Sequence, residues 1–209
     1  MRVFLYVDGF NLYYRLLKQN AGTKWLDLEA LGSRLFPSDQ IVAVRYFTAL
    51  IKPLDDPRAP ARQQVYIRAL NTLPNSTIHY GYFQLETKRR FLKNPTPGQP
   101  KTVEAVLPEE KGSDVNLATE LLVDAFNARF DMAAIITNDA DLAGPIRVVE
   151  HELGLPVTVV HPTQWPAGEL RKVNPSTMLR LSVSTVRQSQ FPETLTDDVG
   201  QFHRPQEWV

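Results

Sequence analysis

The chain has 209 residues, of which 43% are hydrophobic and 22% charged, enough apolar sequence for a packed core without disulfide or metal staples. It contains no cysteine, which excludes a disulfide scaffold and thiolate metal sites, and its 23 basic and 23 acidic residues balance to zero net charge. A protein that binds nucleic acid through overall charge would be basic, so any such binding here has to come from a local patch.

The start of the sequence and its hydropathy give an expectation about location. Met1 leads directly into an apolar strand pattern, without a basic segment followed by a long apolar stretch, and no run of 18 apolar residues occurs in the chain. Export and membrane spanning are therefore not expected. A cytoplasmic protein is the default expectation.

Short apolar segments alternate with segments of helical periodicity. Strands are predicted at 2–7, 41–50, 77–85, 132–137 and 156–161. Helices are predicted at 11–19, 28–36 after an Asp27 cap, 58–72, 113–130 and 141–153. This alternation predicts an α/β protein with a mainly parallel central sheet flanked by helices.

Two segments interrupt this pattern. Residues 86–108 are rich in basic residues and proline, and they predict a loop or hairpin inserted into the domain. After about residue 186 the sequence becomes polar, which predicts a loosely attached tail. The predicted organisation is one domain, 1–185, followed by a polar C-terminal tail, 186–209.

Two of the predicted strands end in acidic residues. The first ends at Asp8, and Asn11 follows three residues later. The other, predicted at 132–137, leads into a polar turn with Thr137, Asn138, Asp139 and Asp141. Ligands of parallel sheets bind outside the carboxyl ends of the strands, so these side chains are candidates for a functional site.

A further acid begins the helix predicted at 113–130. At 100° per residue, Leu121 and Ala125 lie within about 20° of Asp114 around the helix axis. Asp114 therefore lies at the N-terminal end of the apolar helix face that packs on the sheet. Its carboxylate should face the edge of the sheet where the other acids lie.

Four carboxylates at one edge repel one another unless protons or cations intervene, and Mg²⁺ or Mn²⁺ suits such oxygen ligands. A divalent ion held there can align a phosphodiester and lower the pKa of a bound water. The sequence offers no competing nucleophile motif, since it has no cysteine, no G-x-S-x-G and only four histidines without zinc-like spacing.

Each acid also has a simpler structural interpretation. Asp8 with Gly9 is typical of a plain turn, and Asp114 can complement the dipole of its helix. Asp139 or Asp141 can cap the helix that follows. These roles explain the acids singly, but they do not explain why all four fall at one predicted edge.

Three motifs resemble those of the NYN-domain, PIN-like nucleases, including the LabA-like bacterial branch. They are VDGFN at 7–11, EKGSDVNLATELL at 110–122 and TNDADLAGPI at 137–146. The resemblance covers roughly residues 1–160 and implies a PIN-like three-layer fold and metal-dependent cleavage of RNA. It also implies a metal site of Asp8, Asp114, Asp139 and Asp141, with Asn11 and Thr137 beside it.

One turn departs from the family pattern. Where the family usually has Ser-Gly-Asp-Ser-Asp-Phe, this chain has Thr-Asn-Asp-Ala-Asp-Leu, so the glycine and the aromatic are absent while both acids remain. A catalytically silent RNA-binding or regulatory module on the same fold is therefore an alternative to the metal-dependent endoribonuclease. A homodimer is compatible with either function.

Two other enzyme classes fit less well. A phosphohydrolase with an aspartyl nucleophile at Asp8 usually has a second aspartate two residues on, where this chain has Phe10. A dinucleotide-binding protein would show G-x-G-x-x-G after a strand, and this pattern is absent.

The inserted segment predicts a surface for RNA phosphates. Its cations, with no acid between them, are Lys88, Arg89, Arg90, Lys93 and Lys101. Phe91 lies among them as a stacking surface for a base. The alternative is that the segment is simply a solvated loop.

Overall fold

The centre of the fold is a six-stranded parallel sheet. The computed structural model describes residues 1–53, 56–96 and 98–208. Within these ranges the strands are β1 (Arg2–Asp8), β2 (Gln40–Thr48), β3 (Ser76–Tyr80), β4 (Tyr82–Phe91), β5 (Thr102–Lys111), β6 (Met132–Ile136), β7 (Val157–His161), β8 (Thr177–Arg180), β9 (Thr194–Asp197) and β10 (Gly200–His203). The central sheet has the order β3-β2-β1-β6-β7-β8, and every neighbouring pair in it is parallel.

Helices connect the strands. In the same ranges the α-helices are α1 (Gly9–Leu12), α2 (Leu28–Leu35), α3 (Ala59–Leu70), α4 (Ser113–Phe126), α5 (Ala143–Arg147), α6 (Gly168–Val173) and α7 (Val183–Arg187). A π-helical turn, Tyr13–Leu17, continues α1. A 3₁₀ turn, Ala140–Leu142, precedes α5, and a π-helical turn, Val148–Glu152, follows it. None of the helices in the described ranges is long and apolar enough to cross a bilayer.

The central strand β1 is buried on both faces, because successive side chains point to opposite sides of a sheet. Val3, Leu5 and Val7 belong to an apolar cluster with residues of α2 and α3. Phe4 and Tyr6 belong to a second cluster with residues of α4, α5 and α6. Helices thus cover both faces of the sheet, and the predicted three-layer α/β fold with a parallel sheet is confirmed.

The segment between β3 and α4 is a two-stranded hairpin that is longer than the inserted segment predicted at 86–108. The strand predicted at 77–85 is interrupted at Gly81, and β4 then pairs with β5 over its whole length. Gly81 is needed at this break, because a Cβ there would lie 2.4 Å from the carbonyl oxygen of Lys111.

The C-terminal segment packs against the domain, so the expectation of a loose attachment was wrong. Trp25 donates its indole N–H to the carbonyl oxygen of Pro192 over 2.8 Å, and Phe191 and Phe202 are buried beside it. The strands β9 and β10 form a ribbon that the two hydrogen bonds of Arg68 to Asp197, each 2.6 Å, join to α3. A few aromatic anchors in a polar sequence are enough to fix this segment.

Candidate functional site

Asp8 lies at the carboxyl end of the central strand and is only 4% exposed. One carboxylate oxygen accepts the backbone N–H of Asn11 over 3.0 Å, so Asp8 also caps α1. The other oxygen accepts the hydroxyl of Thr137 over 3.0 Å. The simpler role of Asp8 as a turn residue is therefore real, and it fixes the carboxylate in place.

The turn after β6 is held by side chains that the sequence had singled out. The Thr137 hydroxyl accepts the backbone N–H of Asp139 over 3.0 Å, and the Asp139 carboxylate accepts that of Asp141 over 2.9 Å. The Asn138 backbone N–H donates to the side-chain oxygen of Asn11 over 3.0 Å. This network joins the ends of β1 and β6, although asparagine stands at position 138 where the motif that this turn resembles usually has glycine.

Asn138 positions a third segment. Its side-chain oxygen accepts the backbone N–H of Ala167 over 2.7 Å, immediately before α6. Asn11 and Asn138 therefore stabilise the turn, since the side-chain oxygen of each accepts a hydrogen bond from a backbone N–H.

Helix α4 brings Asp114 to the same edge of the sheet. Buried Asp124, on the same helix, accepts the hydroxyl of Tyr6 over 2.7 Å and pairs with Arg45 and Arg129. These contacts fix α4 on the sheet. Glu110, near the end of the strand β5 that precedes the helix, accepts the backbone N–H of Ser113 on its carboxylate over 3.1 Å.

Three of the four predicted acids come together. Asp8, Asp114 and Asp139 each offer a carboxylate oxygen, and these oxygens all lie within 4.8 Å of one another. Asp141 is exposed and lies outside this group. A donor set of carboxylate oxygens alone suits a hard cation such as Mg²⁺ or Mn²⁺, so the residues present fit the ion that the sequence implied.

The electrostatics of the three acids favour protons or a cation. Burial is the main cause that raises the pKa of Asp8 to about 7, and the charge of Asp114 adds to it against the hydrogen bond from Asn11. Burial also raises the pKa of Asp114 to about 6, with further contributions from Asp139 and Glu110. Near neutral pH Asp8 is therefore only partly ionised, and a divalent ion would displace the proton that it keeps.

The three acids open into a cleft of about 940 Å³. Arg15 and Arg180 line it, and Glu110 lies beside the acids. Sequence reasoning missed these three as site residues. Glu110 is the first residue of the motif quoted at 110–122. Nothing in its chemistry distinguishes it from the preceding Glu109, whose side chain instead pairs with Lys88 and Lys111.

The predicted phosphate-binding cations lie on the hairpin, and among the described residues none of the five lines the cleft. Lys88 pairs with Glu86 and Glu109, and Arg90 lies 3.8 Å from Glu109. Sequence reasoning missed these pairs because the acids lie outside the segment 88–101. The remaining cations are exposed: Arg89, Lys93 and Lys101.

The fold and the acidic edge define a class: an α/β protein with three convergent carboxylates at the carboxyl ends of parallel strands. Residues 2–178 match the NYN domain, and the chain belongs to this family. The NYN-domain, PIN-like nuclease family that the motifs implied is thus confirmed.

Two comparisons add detail. The chain is 30% identical over 201 residues to 6-hydroxy-3-succinoylpyridine 3-monooxygenase of Pseudomonas putida, with 83% of this chain and 62% of that protein covered. It therefore spans less than two thirds of that relative. A protein of unknown function from Vibrio parahaemolyticus has the same fold, with a TM-score of 0.57 and 12% identity over 87% of this chain and 93% of the other.

Proposed function

We propose that the protein is a metal-dependent endoribonuclease that hydrolyses RNA phosphodiester bonds at the acidic edge of the sheet. The observation that carries the proposal is the approach of the Asp8, Asp114 and Asp139 carboxylates to within 4.8 Å of one another. Membership of the NYN-domain family supports it.

In this proposal Asp8, Asp114 and Asp139 hold Mg²⁺ or Mn²⁺, and Asp141 contributes negative charge from the rim. A divalent ion held by these residues would lower the pKa of a water molecule and stabilise negative charge that develops on the phosphate. Thr137 and Asn11 keep the carboxylate of Asp8 in one orientation through their hydrogen bonds. Asn138 keeps the turn that carries Asp139 against the end of β1.

The cleft provides the substrate surface in this proposal. The acids alone would repel an RNA backbone, so cations are needed close by. Arg15 and Arg180 line the cleft and serve this purpose. Five cations of the hairpin contact more distant phosphates of a longer RNA. These cations are Lys88, Arg89, Arg90, Lys93 and Lys101.

The test is cleavage of single-stranded RNA of mixed sequence with Mg²⁺, with Mn²⁺ and with EDTA. We expect internal cleavage with either ion and none with EDTA or with the Asp139→Asn variant. A substrate that is 2′-deoxy throughout tests the nucleophile, because attack by water does not need the 2′-hydroxyl. Retained binding without cleavage in any ion would favour the silent RNA-binding module instead.

A second candidate function is monooxygenation of a hydroxylated pyridine. The observation in its favour is the 30% identity to the Pseudomonas putida monooxygenase over 83% of this chain. The reaction inserts one atom of O₂ and reduces the other to water with two electrons from a reductant. Incubation with O₂, NADH and 6-hydroxy-3-succinoylpyridine tests it, through stoichiometric oxidation of NADH and a hydroxylated product.

A further inference from the structure

A second cavity, of about 320 Å³, lies next to the acidic cleft. Gly9 lines the cavity, while Asp8, one residue earlier, lines the cleft. Phe10 and Tyr14 line both. The two cavities therefore share a wall formed by the first helical turns after the central strand.

Aromatic rings form much of the surface of this cavity. The rings of Phe10 and Tyr14 are stacked, with centroids 6.3 Å apart and an interplanar angle of 18°. Phe83 of the hairpin meets Phe10 edge to face at 5.7 Å. Tyr14 is 52% exposed, so a large part of its surface is accessible to a ligand. Flat aromatic surfaces of this kind bind nucleobases by stacking.

Polar groups also face the cavity. The hydroxyl of Thr48 is buried, and the amide of Gln63 is oriented by a 2.9 Å hydrogen bond to the carbonyl oxygen of Ala49. Tyr13 adds a half-buried phenol. A lining of this composition suits a planar ligand with polar edges better than an aliphatic one.

The charges at this cavity favour a phosphate-bearing ligand. Four cations line it, namely Lys18, Lys24, Lys52 and Arg62. Asp56 is the acid among its described lining residues, and it pairs with Arg62. The Nζ of Lys18 also lies 5.1 Å from the centroid of the Tyr14 ring.

We propose that this aromatic cavity binds one unpaired base of the RNA whose phosphate lies in the adjacent acidic cleft. The inference rests on the proposed nuclease function and makes single-stranded RNA the substrate class, because a base has to leave its stack to enter the cavity. Phe10 and Tyr14 belong to the wall that the two cavities share, so they set the distance between the bound base and the cleaved phosphate.

Binding of a short single-stranded RNA in EDTA tests the inference without cleavage. We expect Tyr14→Ala and Phe83→Ala each to raise the Kd about tenfold, the effect of losing one stacked base. Tyr82→Ala is the matched control, since this exposed tyrosine precedes Phe83 on the same strand, lines neither cavity and should change the Kd by less than about twofold. Thermal melting of each variant verifies the fold.

An RNA with an abasic nucleotide placed at each position in turn provides the second measurement. One position should weaken binding to the wild type about tenfold and leave binding to Tyr14→Ala unchanged. Unchanged Kd values for both variants would overturn the inference. It would also be overturned if, at every position, the abasic nucleotide weakened binding to Tyr14→Ala as much as it weakened binding to the wild type. Saturable binding of 6-hydroxy-3-succinoylpyridine that Tyr14→Ala loses, with unchanged RNA binding, would also overturn it.

Cleavage of the same RNAs with Mn²⁺ separates this inference from the nuclease function. Base-dependent binding without cleavage would support the aromatic cavity while the nuclease proposal fails. Cleavage by Tyr14→Ala and Phe83→Ala with wild-type KM would leave the nuclease proposal intact and overturn the base site.

Discussion

The hydroxyl of Thr137 donates a 3.0 Å hydrogen bond to the carboxylate of Asp8. This bond links the end of β6 to the end of the neighbouring strand β1. The same hydroxyl oxygen accepts the backbone N–H of Asp139 over 3.0 Å. One buried side chain thus orients one predicted metal ligand and positions the backbone of another. Its hydrogen bond also lowers the pKa of Asp8, against the stronger effect of burial.

Replacement of Thr137 by Val should therefore weaken the site without removing a carboxylate. Loss of the hydrogen bond raises the pKa of Asp8 further, so less of the ionised form is present at neutral pH. We expect the Kd for Mn²⁺ at pH 7 to rise about three- to fivefold. Isothermal titration of both proteins measures it.

The matched control is Thr158→Val on β7. Thr158 is also a buried threonine of the central sheet, but its hydroxyl contacts only the sulfur of Met132 among the described side chains. We expect its Mn²⁺ affinity to equal that of the wild type. Equal losses of affinity in both variants would show that threonine removal acts through the sheet and not through Asp8.

Asp8 should make the metal-free protein less stable as the pH rises. Its pKa is about 7 in the folded state against 3.8 for an ordinary aspartate, so the folded state binds the proton more tightly. This stabilisation is complete below about pH 4 and is lost as the pH passes through about 7, a change of up to about 4 kcal/mol in the free energy of unfolding.

Thermal melting in EDTA between pH 4 and pH 8 measures this dependence. We expect the Tm of Asp8→Asn to fall less over this range and to exceed that of the wild type at the upper end, since the amide needs no proton. Asp198→Asn, at an exposed position, is the control and should follow the wild type. Parallel curves for Asp8→Asn and the wild type would contradict a buried titrating Asp8.

The two acids of the turn should differ in their effect on activity. We expect Asp139→Asn to abolish metal-dependent cleavage, as Asp8→Asn should, because each removes one of the three converging carboxylates. Asp141→Asn should reduce kcat/KM only about two- to tenfold, since this exposed side chain acts through its charge alone. Single-turnover cleavage assays compare the three, and an equal loss at Asp141 would place that carboxylate among the ligands.

Divalent ions should stabilise the folded protein. An ion at ten times its Kd adds about 1.4 kcal/mol to the free energy of unfolding, which corresponds to a Tm increase of roughly 3–6 °C. We expect this increase with Mn²⁺ in the wild type and not in Asp139→Asn. Differential scanning fluorimetry measures it, and an equal shift in both proteins would indicate binding elsewhere.

The parts of the site that depend on strand ends could be predicted from the sequence. Asp8 and Asp139 follow short apolar runs, and parallel strands bring their carboxyl ends to one edge. Asp114 could be placed because helical periodicity relates it to Leu121 and Ala125. In each case a local pattern determines the direction of the side chain.

Long-range contacts explain what could not be predicted. Arg180 reaches the cleft from β8, a short strand whose sequence gives little periodic signal. The contact of Lys88 with Glu109 depends on the hairpin, which brings together two side chains that are 21 positions apart in the sequence. The docking of Phe202 against Trp25 likewise joins distant parts of the chain.

The two groups of cations should act on different lengths of RNA. Arg180→Ala should raise the KM for a short RNA that fills only the cleft, with a smaller effect on kcat, because the contact holds substrate and transition state alike. Joint replacement of Arg89, Arg90 and Lys93 by Ala should raise the KM only for a longer RNA that reaches the hairpin. Each lost phosphate contact should reduce the slope of log KM against log salt by about 0.7.

The control replaces Lys172 by Ala, because this exposed lysine pairs with Glu169 on its own helix and lies outside the cleft. Its KM and salt slope should match those of the wild type for both RNAs. If the hairpin variant also keeps the wild-type KM and slope with the longer RNA, its cations are only solvated, as the alternative interpretation of that segment holds. Phosphate binding in the cleft would then depend on Arg15 and Arg180, because these two cations line the same cleft as the carboxylates whose charge the RNA has to overcome.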